Sequence, residues 1–379
     1  MKRILFITDP VGGLVSVQLN LLKAIGKNLE SQYRLAMFTP HCGEDRATIL
    51  EQTGFELFVS PNRSFALNRI LGRVGRSNES MLWAESWLRE VLYHWNHQDA
   101  EKALRDERFD FVVNMSSTVA FPCDLWWTLG TPLDQTIRGM ASTNVIAKLT
   151  DILASRTIAH LDRKLVGQIA GGADHIVANS PFLADLYRAR NVKVDGVVYC
   201  TKDFSAFRPT ASGAQRDYVL LYVGKEIDHF DFRVLRDAGV RVVGFGAKVP
   251  TGTRFWKFAD CVDFRGRVSE TELVDLYSNA LFTLFPFSLE PFGWVPIESM
   301  ACGTPVLTYD RQGPATTVVD GRTGWLVHSA GEMARKATEI WRRRTTNMSS
   351  ADCVHRAGEF SIRKSVSQLV GWIERPALT

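Results

Sequence analysis

Short apolar runs alternate with helically spaced segments along this chain, and the alternation occurs twice. The first series opens with Arg3–Thr8, a run of strand length, followed by the loop Asp9-Pro-Val-Gly-Gly13. Val15–Ile25 comes next, with Val17, Leu19, Leu21, Leu22 and Ile25 at helical spacing. Tyr33–Thr39, Phe55–Val59, Phe109–Asn114, Leu133–Ile137 and Asp174–Ala178 continue the strand rhythm, with Thr150–Ala170 helical. Ser180-Pro181 predicts a helix start, serine as the cap and proline in the first turn. Residues 201–216 are polar and broken by proline and glycine, as a linker would be. Beyond them Tyr218–Val223, Val240–Phe245, Leu281–Phe285 and Thr304–Thr308 read as strands, and Glu332–Arg343 and Val354–Ile373 as helices. A helix between two strands returns the chain to the same sheet end, so both series predict parallel sheets. The fold class is α/β: two Rossmann-like, doubly wound domains, residues 1–200 and about 206–352. Ligands bind such sheets beyond the carboxyl ends of the strands, and two facing sheets would enclose an interdomain cleft.

Residues 62–105 have a different character. Asn62–Arg76 sets Arg63, Arg69, Arg73 and Arg76 among Phe65, Leu67, Ile70, Leu71 and Val74. Such a segment either rests on an anionic membrane or packs as a solvated helix on the first domain. Glu79–Leu104 predicts one long helix whose Trp83, Trp87 and Trp95 are core rather than a platform for sugar.

Composition excludes several classes. A formal charge of +4 over 379 residues is too mild for a nucleic-acid binder, so no nucleic-acid partner is expected. Cys42, Cys123, Cys200, Cys261, Cys302 and Cys353 are scattered without a CxxC pair, which argues against a metal or redox motif and for a reducing compartment. None of the eight histidines has ligand spacing. No apolar run reaches the roughly 18 residues of a membrane span, and the N-terminal run is too short for a signal peptide. The expected location is cytoplasmic, extending to peripheral contact at the inner face of a membrane through residues 62–76.

The chemistry concentrates in Phe285–Val327, FPFSLEPFGWVPIESMACGTPVLTYDRQGPATTVVDGRTGWLV. A strand ends, a loop presents Glu290, and a helix follows bearing Glu298. Two carboxylates across a loop and helix start can face one ligand, accepting hydrogen bonds from sugar and ribose hydroxyls. The Phe292-Gly293 peptide groups lie at a helix N-terminus, which favours phosphate, and Gly293 leaves room for close approach.

This stretch resembles the signature of retaining nucleotide-sugar glycosyltransferases with two Rossmann domains (glycosyl transferases group 1, GT-B fold, family 4-like). The family pattern is Glu, seven residues, Glu, then Ala-Cys-Gly-Thr-Pro-Val, here Glu290, Glu298 and Ala301–Val306. Asp320-Gly321 and Thr323-Gly324 match the downstream turn, and Val262–Leu273 with Leu276-Tyr277 and Ala280 the preceding segment. The resemblance implies that Glu290 contacts the donor sugar, Glu298 the ribose, and Arg267 and Val268 the base. Pro291, Phe292 and Gly293 would line the donor, with the last two offering backbone amides. Tyr222-Val223-Gly224-Lys225 is similar to the family's Val-Gly-Arg, which implies that Gly224 and Lys225 flank the diphosphate and that Lys225 neutralises it as it leaves. Lys225 supplies a point charge without the fork of arginine. Gly12-Gly13 resembles the N-terminal glycine loop across from the donor. Asp9, in the same loop, either touches the acceptor or simply forms the turn before Pro10. The last helix, 354–379, would pack back on the N-terminal domain.

The chain departs from the pattern in places. Where the family has a second lysine this chain has Phe230, with His229 and Arg233 as candidates to compensate. Arg138 stands where many relatives have histidine, and either contacts a sugar or phosphate or pairs with a carboxylate. The family's glutamate near Thr316 is absent. The implied function is a retaining hexosyltransferase, using a UDP- or GDP-sugar and a glycan, lipid-linked or small-molecule acceptor. It would need no metal and no cofactor, since the nucleotide-sugar is a substrate. Alternatives on the same fold are a nucleotide-sugar-binding protein without turnover and a nucleotide-sugar epimerase or hydrolase.

Overall fold

A computed structural model describes residues 1–11, 17–42, 51, 53–60, 79–140, 145–210, 216–224, 230–246, 260–287 and 289–375. The chain divides into two compact units. The first comprises Met1–Leu133, Arg156–Lys202 and Ile362–Thr379, the second Asp134–Ser155 and Asp203–Ser361.

In the first unit the strands are β1 (Arg3–Ile7), β2 (Arg34–Thr39), β3 (Glu56–Val59), β4 (Phe111–Asn114), β5 (Cys123–Thr128), β6 (Ala173–Ala178) and β7 (Gly196–Val197). They form one sheet in the order β3-β2-β1-β4-β5-β6-β7, with parallel pairs throughout. In the second unit β8 (Val219–Tyr222), β9 (Val242–Phe245), β10 (Asp263–Phe264), β11 (Thr283–Phe285), β12 (Val306–Tyr309) and β13 (Gly324–Val327) form a parallel sheet in the order β10-β9-β8-β11-β12-β13. Apolar runs without alternation suit such strands, because helices cover both faces. Leu5, Ile7, Ala36 and Phe38 are fully buried in the first sheet, Leu220, Leu221, Leu284 and Leu307 in the second.

Three expectations need correction. Leu133–Ile137 is not a strand but the start of the helix Leu133–Met140. Pro132 precedes it, Asp134 sits in its first turn, and Leu133, Ile137 and Met140 recur at helical spacing. The strand of this region is β5, whose apolar run Asp124 interrupts. Asp124 is tolerated there because its Oδ2 accepts a 2.7 Å hydrogen bond from the Val112 amide.

The long tryptophan-rich helix is two helices, Glu79–Tyr93 and Trp95–Ala103, parted at His94 with a left-handed φ of 52°. Glu90, fully buried, lies beside the break. Its carboxylate accepts from the His97 amide at 3.0 Å, capping the second helix, and from the Ala120 amide at 2.9 Å. Trp87 is core, with its indole N–H on Asp162 at 3.2 Å, whereas Trp83 and Trp95 are half-buried.

The final helical stretch is likewise two helices, Ser350–Gly358 and Ile362–Ile373. They part where Phe360 buries its ring. Ile362–Ile373 packs in the first unit against the helix Val17–Leu29. Residues 62–76 lie outside the described residues. Among the described residues no helix is long and apolar enough to cross a membrane.

The serine cap is present as the sequence predicts. Ser180 Oγ accepts from the Leu183 amide at 3.1 Å at the head of the helix Pro181–Arg188, and Ser180 is fully buried. Ser180→Ala strands that amide away from water and is expected to cost about 1–2 kcal/mol. Urea unfolding should report a lower midpoint at unchanged slope. An unaltered midpoint would refute the cap's contribution.

Candidate active site

In each sheet the strand order reverses once, at β1/β4 and at β8/β11. Loops leaving neighbouring parallel strands diverge there, which opens a crevice beyond their carboxyl ends. In the second unit aromatic rings pack together at the carboxyl ends of β8 and β11. Tyr222, ending β8, stacks on Phe287 beyond β11 with centroids 5.7 Å apart, and Phe287 stacks on Phe285 at 4.3 Å. At Gly224 a Cβ would lie 2.8 Å from Tyr222 Cε1, so any side chain there would have to displace that ring.

The loop from Phe287 to the helix Trp294–Ala301 carries the predicted donor residues. Glu290 is half-buried and folds back on its own loop. Its Oε1 accepts from the Gly293 amide at 3.1 Å and, more weakly, from the Phe292 amide at 3.4 Å. The amides that the sequence reserves for a ligand thus hold the Glu290 carboxylate. An anion at a helix N-terminus is favoured by the unpaired N–H groups and the helix dipole. Gly293, the N-cap, has a φ of 89° that side chains resist, and a Cβ would meet Pro314 Cγ at 2.7 Å.

A second loop, after β12, backs the first. The Gly313 amide donates to the Glu290 carbonyl at 2.9 Å, and the Glu290 amide donates to Gln312 Oε1 at 3.2 Å. Gln312 is itself held, its Nε2 donating to Thr308 Oγ1 at 2.9 Å. Sequence reading missed Gln312, because nothing local marks a glutamine as the prop for a loop 22 residues away.

Glu298 lies inside the helix and is only 5 % exposed. Its Oε2 accepts from the Tyr277 hydroxyl at 2.9 Å. Burial, with Glu298 beside it, pushes the Tyr277 hydroxyl well above the ordinary tyrosine range, so it remains a donor at neutral pH. Tyr277 belongs to the Leu-Tyr pair of the family pattern, yet its bond to Glu298 could not be read from the motif.

Arg267 is exposed and Val268 half-buried in the loop after β10, two strands from β8 in the sheet order. The Gly246 amide ties that loop to β9 by donating to the Gly266 carbonyl at 2.9 Å. Phe230 fills a core position against Phe232, centroids 4.9 Å apart, which explains an aromatic where a lysine was expected. Arg233 is exposed and bound by both carboxylate oxygens of Asp231, at 2.8 and 2.6 Å. Arg138 lies on the helix Leu133–Met140 rather than after a strand, and its side chain is outside the described residues. Gly12, Gly13, Lys225 and His229 are outside them as well. Among the described residues no three metal-binding side chains cluster.

At the corresponding crevice of the first unit Asp9 is a hub rather than a simple turn former. Its Oδ1 accepts from Ser116 Oγ at 2.6 Å, Thr118 Oγ1 at 2.8 Å and the Ser117 amide at 3.1 Å. Its Oδ2 accepts from Gln18 Nε2 at 3.0 Å. Burial pushes the Asp9 carboxyl above the ordinary carboxylate range, and the surrounding donors offset only part of that rise.

Residues 257–350 match the model of the family described as glycosyl transferases group 1. The chain is 30% identical over 237 residues to the D-inositol 3-phosphate glycosyltransferase of Mycolicibacterium smegmatis, covering 55% of this chain and 54% of that protein. It is 33% identical over 210 residues to D-inositol 3-phosphate glycosyltransferase 2 of Catenulispora acidiphila, covering 45% and 49%. The chain therefore spans about half the length of the curated relatives it matches. Among solved structures, Anabaena HepE in complex with UDP and glucose superposes with a TM-score of 0.61 at 16% identity, over 99% of this chain and 100% of that one. Sucrose-phosphate synthase from Thermosynechococcus elongatus superposes with a TM-score of 0.63 at 17% identity, over 98% of each chain. At such identities these likenesses speak to the fold alone. The fold is the GT-B fold, and within it residues 257–350 match the glycosyl transferases group 1 family.

Proposed function

We propose that this chain is a retaining hexosyltransferase that binds a nucleotide-sugar, a UDP- or GDP-sugar, in the β8/β11 crevice of its second unit. The observation that carries the reading is the Glu290–Gly293 loop. It places a carboxylate and two backbone amides at one helix N-terminus, within the segment that matches the family. Donor oxygens replace the Glu290 carboxylate on the Phe292 and Gly293 amides, and the freed carboxylate turns to the sugar hydroxyls. The bond from the anomeric carbon to the diphosphate oxygen breaks, and the acceptor oxygen bonds to that carbon on the same face. The acceptor proton passes to the departing diphosphate, which Lys225 and the loop amides stabilise. No metal takes part in this scheme.

The acceptor is a glycan, a lipid-linked sugar or a small molecule. The names of the curated relatives place inositol phosphate first among small molecules to try. The four arginines of residues 62–76 would bring a lipid-linked acceptor within reach by resting on an anionic membrane at its inner face.

Thermal unfolding with UDP-, GDP-, ADP- and dTDP-sugars tests the donor. A ligand at 100 times its Kd adds about 2.7 kcal/mol to the native state, so one donor class should raise the midpoint. Glu298→Ala should abolish that rise. It also strands the Tyr277 hydroxyl, at about 1–3 kcal/mol, so each midpoint is read against the same variant without ligand. No rise with any donor would sink the proposal.

A further inference from the structure

Behind the donor loop, Arg356 makes contacts that the proposed chemistry does not use. It lies on the helix Ser350–Gly358 with a side chain 24% exposed. Its Nη2 donates to the Thr316 carbonyl at 2.5 Å and its Nε to the Thr317 carbonyl at 2.8 Å. Those carbonyls close the short helix Pro314–Thr317, which leaves its last carbonyls without helical partners. A planar guanidinium can hold two such carbonyls at once, and its charge suits a helix C-terminus. Its remaining nitrogen, Nη1, pairs with Glu359.

The contacts run on to the donor loop by two routes. Along the first, the helix Pro314–Thr317 begins at Gly313, whose amide holds the Glu290 carbonyl. The approach is backbone on backbone, since a Cβ on Gly313 would lie 2.2 Å from the Pro291 carbonyl oxygen. Along the second, the guanidinium carbon lies 4.9 Å from the centroid of Phe360, which meets Phe292 edge to face at 5.9 Å. Both rings are buried. Phe292 is thus braced from behind, and Glu290 from the side.

We infer that Arg356 and Phe360 are positioning residues that hold the Glu290–Gly293 loop, Arg356 through the 313–317 turn and Phe360 through Phe292. The inference rests on the donor role proposed for that loop. A ligand cradle of backbone amides works only if the amides are held in place before the ligand arrives, and an error near 1 Å costs about 100-fold in rate.

Hydrogen exchange followed by mass spectrometry tests this without a substrate. In Arg356→Ala the peptides covering 289–293 and 313–317 should exchange about tenfold faster, while the β8 peptide 219–222 keeps its wild-type rate. Phe360→Leu, a milder change, should loosen 289–293 and spare 313–317. Unchanged exchange in both variants overturns the inference. So does a uniform rise across the second unit, which would mean that Arg356 only stabilises the unit as a whole. Kinetics then separates this inference from the function. If wild-type enzyme transfers sugar, Arg356→Ala should lower kcat/KM about tenfold, and the loss should be smaller when Glu290 is already alanine, because only the amides are then left to misplace. Equal losses in both backgrounds would overturn it. If wild-type enzyme neither binds nor transfers, the functional proposal fails, and the exchange result still decides the bracing.

Discussion

Glu290→Ala is expected to lower kcat for sugar transfer by about 100- to 1,000-fold, the usual cost of removing one preorganised group that meets developing charge. The effect on stability should be small by comparison. Glu290 is half-buried, and its carboxylate accepts from the Phe292 and Gly293 amides of its own loop. Losing such a cap costs about 1 kcal/mol, and water can reach the vacated amides. Activity and folding therefore separate in this variant. Steady-state kinetics with the donor identified by thermal unfolding, beside a melting curve, makes the comparison. Glu290→Gln sharpens it by keeping an acceptor oxygen and losing the charge. If the glutamine variant matches wild type, the negative charge has no role in the transition state. If the alanine variant keeps more than a tenth of the activity, Glu290 is not the group at the sugar.

Gly313→Ala should have the largest effect on the fold of the site. Gly313 has a right-handed φ of −50° that alanine adopts freely, so backbone strain is not the issue. The obstacle is space. A Cβ would lie 2.2 Å from the Pro291 oxygen, 2.4 Å from its carbon and 2.6 Å from the Phe292 nitrogen, and backbone cannot swing aside as a side chain can. Overpacking of this kind costs about 1–3 kcal/mol, and relief requires parting the two loops that meet at the proposed donor site. Donor-induced stabilisation should disappear together with part of the intrinsic stability. Gly167→Ala is the matched control. Gly167 lies within the helix Val145–Gly171, nothing lies within 4 Å of its Cβ position, and alanine there should gain about 0.5–1 kcal/mol. A Gly313→Ala protein that melts and binds donor like wild type would show that the loops part freely.

Features that depend on near neighbours in the chain are legible in the residue order. Strands appear where apolar runs are short and unbroken, as at Arg3–Ile7 and Val219–Tyr222, because burial on both sheet faces leaves no polar position. Ser180 caps its helix as the Ser180-Pro181 pair predicts, since the cap and the amide it holds lie within one turn. The order Glu290, Phe292, Gly293, Glu298 likewise survives folding as one loop and one helix. Local patterning misled where an apolar window fits either period, as at Leu133–Ile137, and where one charged residue hid a strand, as Asp124 does in β5.

Tertiary structure alone decided the partners. Periodicity reports which side of an element is apolar, but not which element covers it or which polar groups end up facing each other. Gln312 meets Glu290 across 22 residues, Tyr277 meets Glu298 across 21, and Arg356 meets Thr316 across 40. Asp9 collects Ser116 from 107 residues away because β1 and β4 are neighbours in the sheet, an adjacency no local pattern encodes. These bonds form only once strand order and helix packing have fixed the backbone. Buried polar groups must then find partners among whatever the fold has placed beside them.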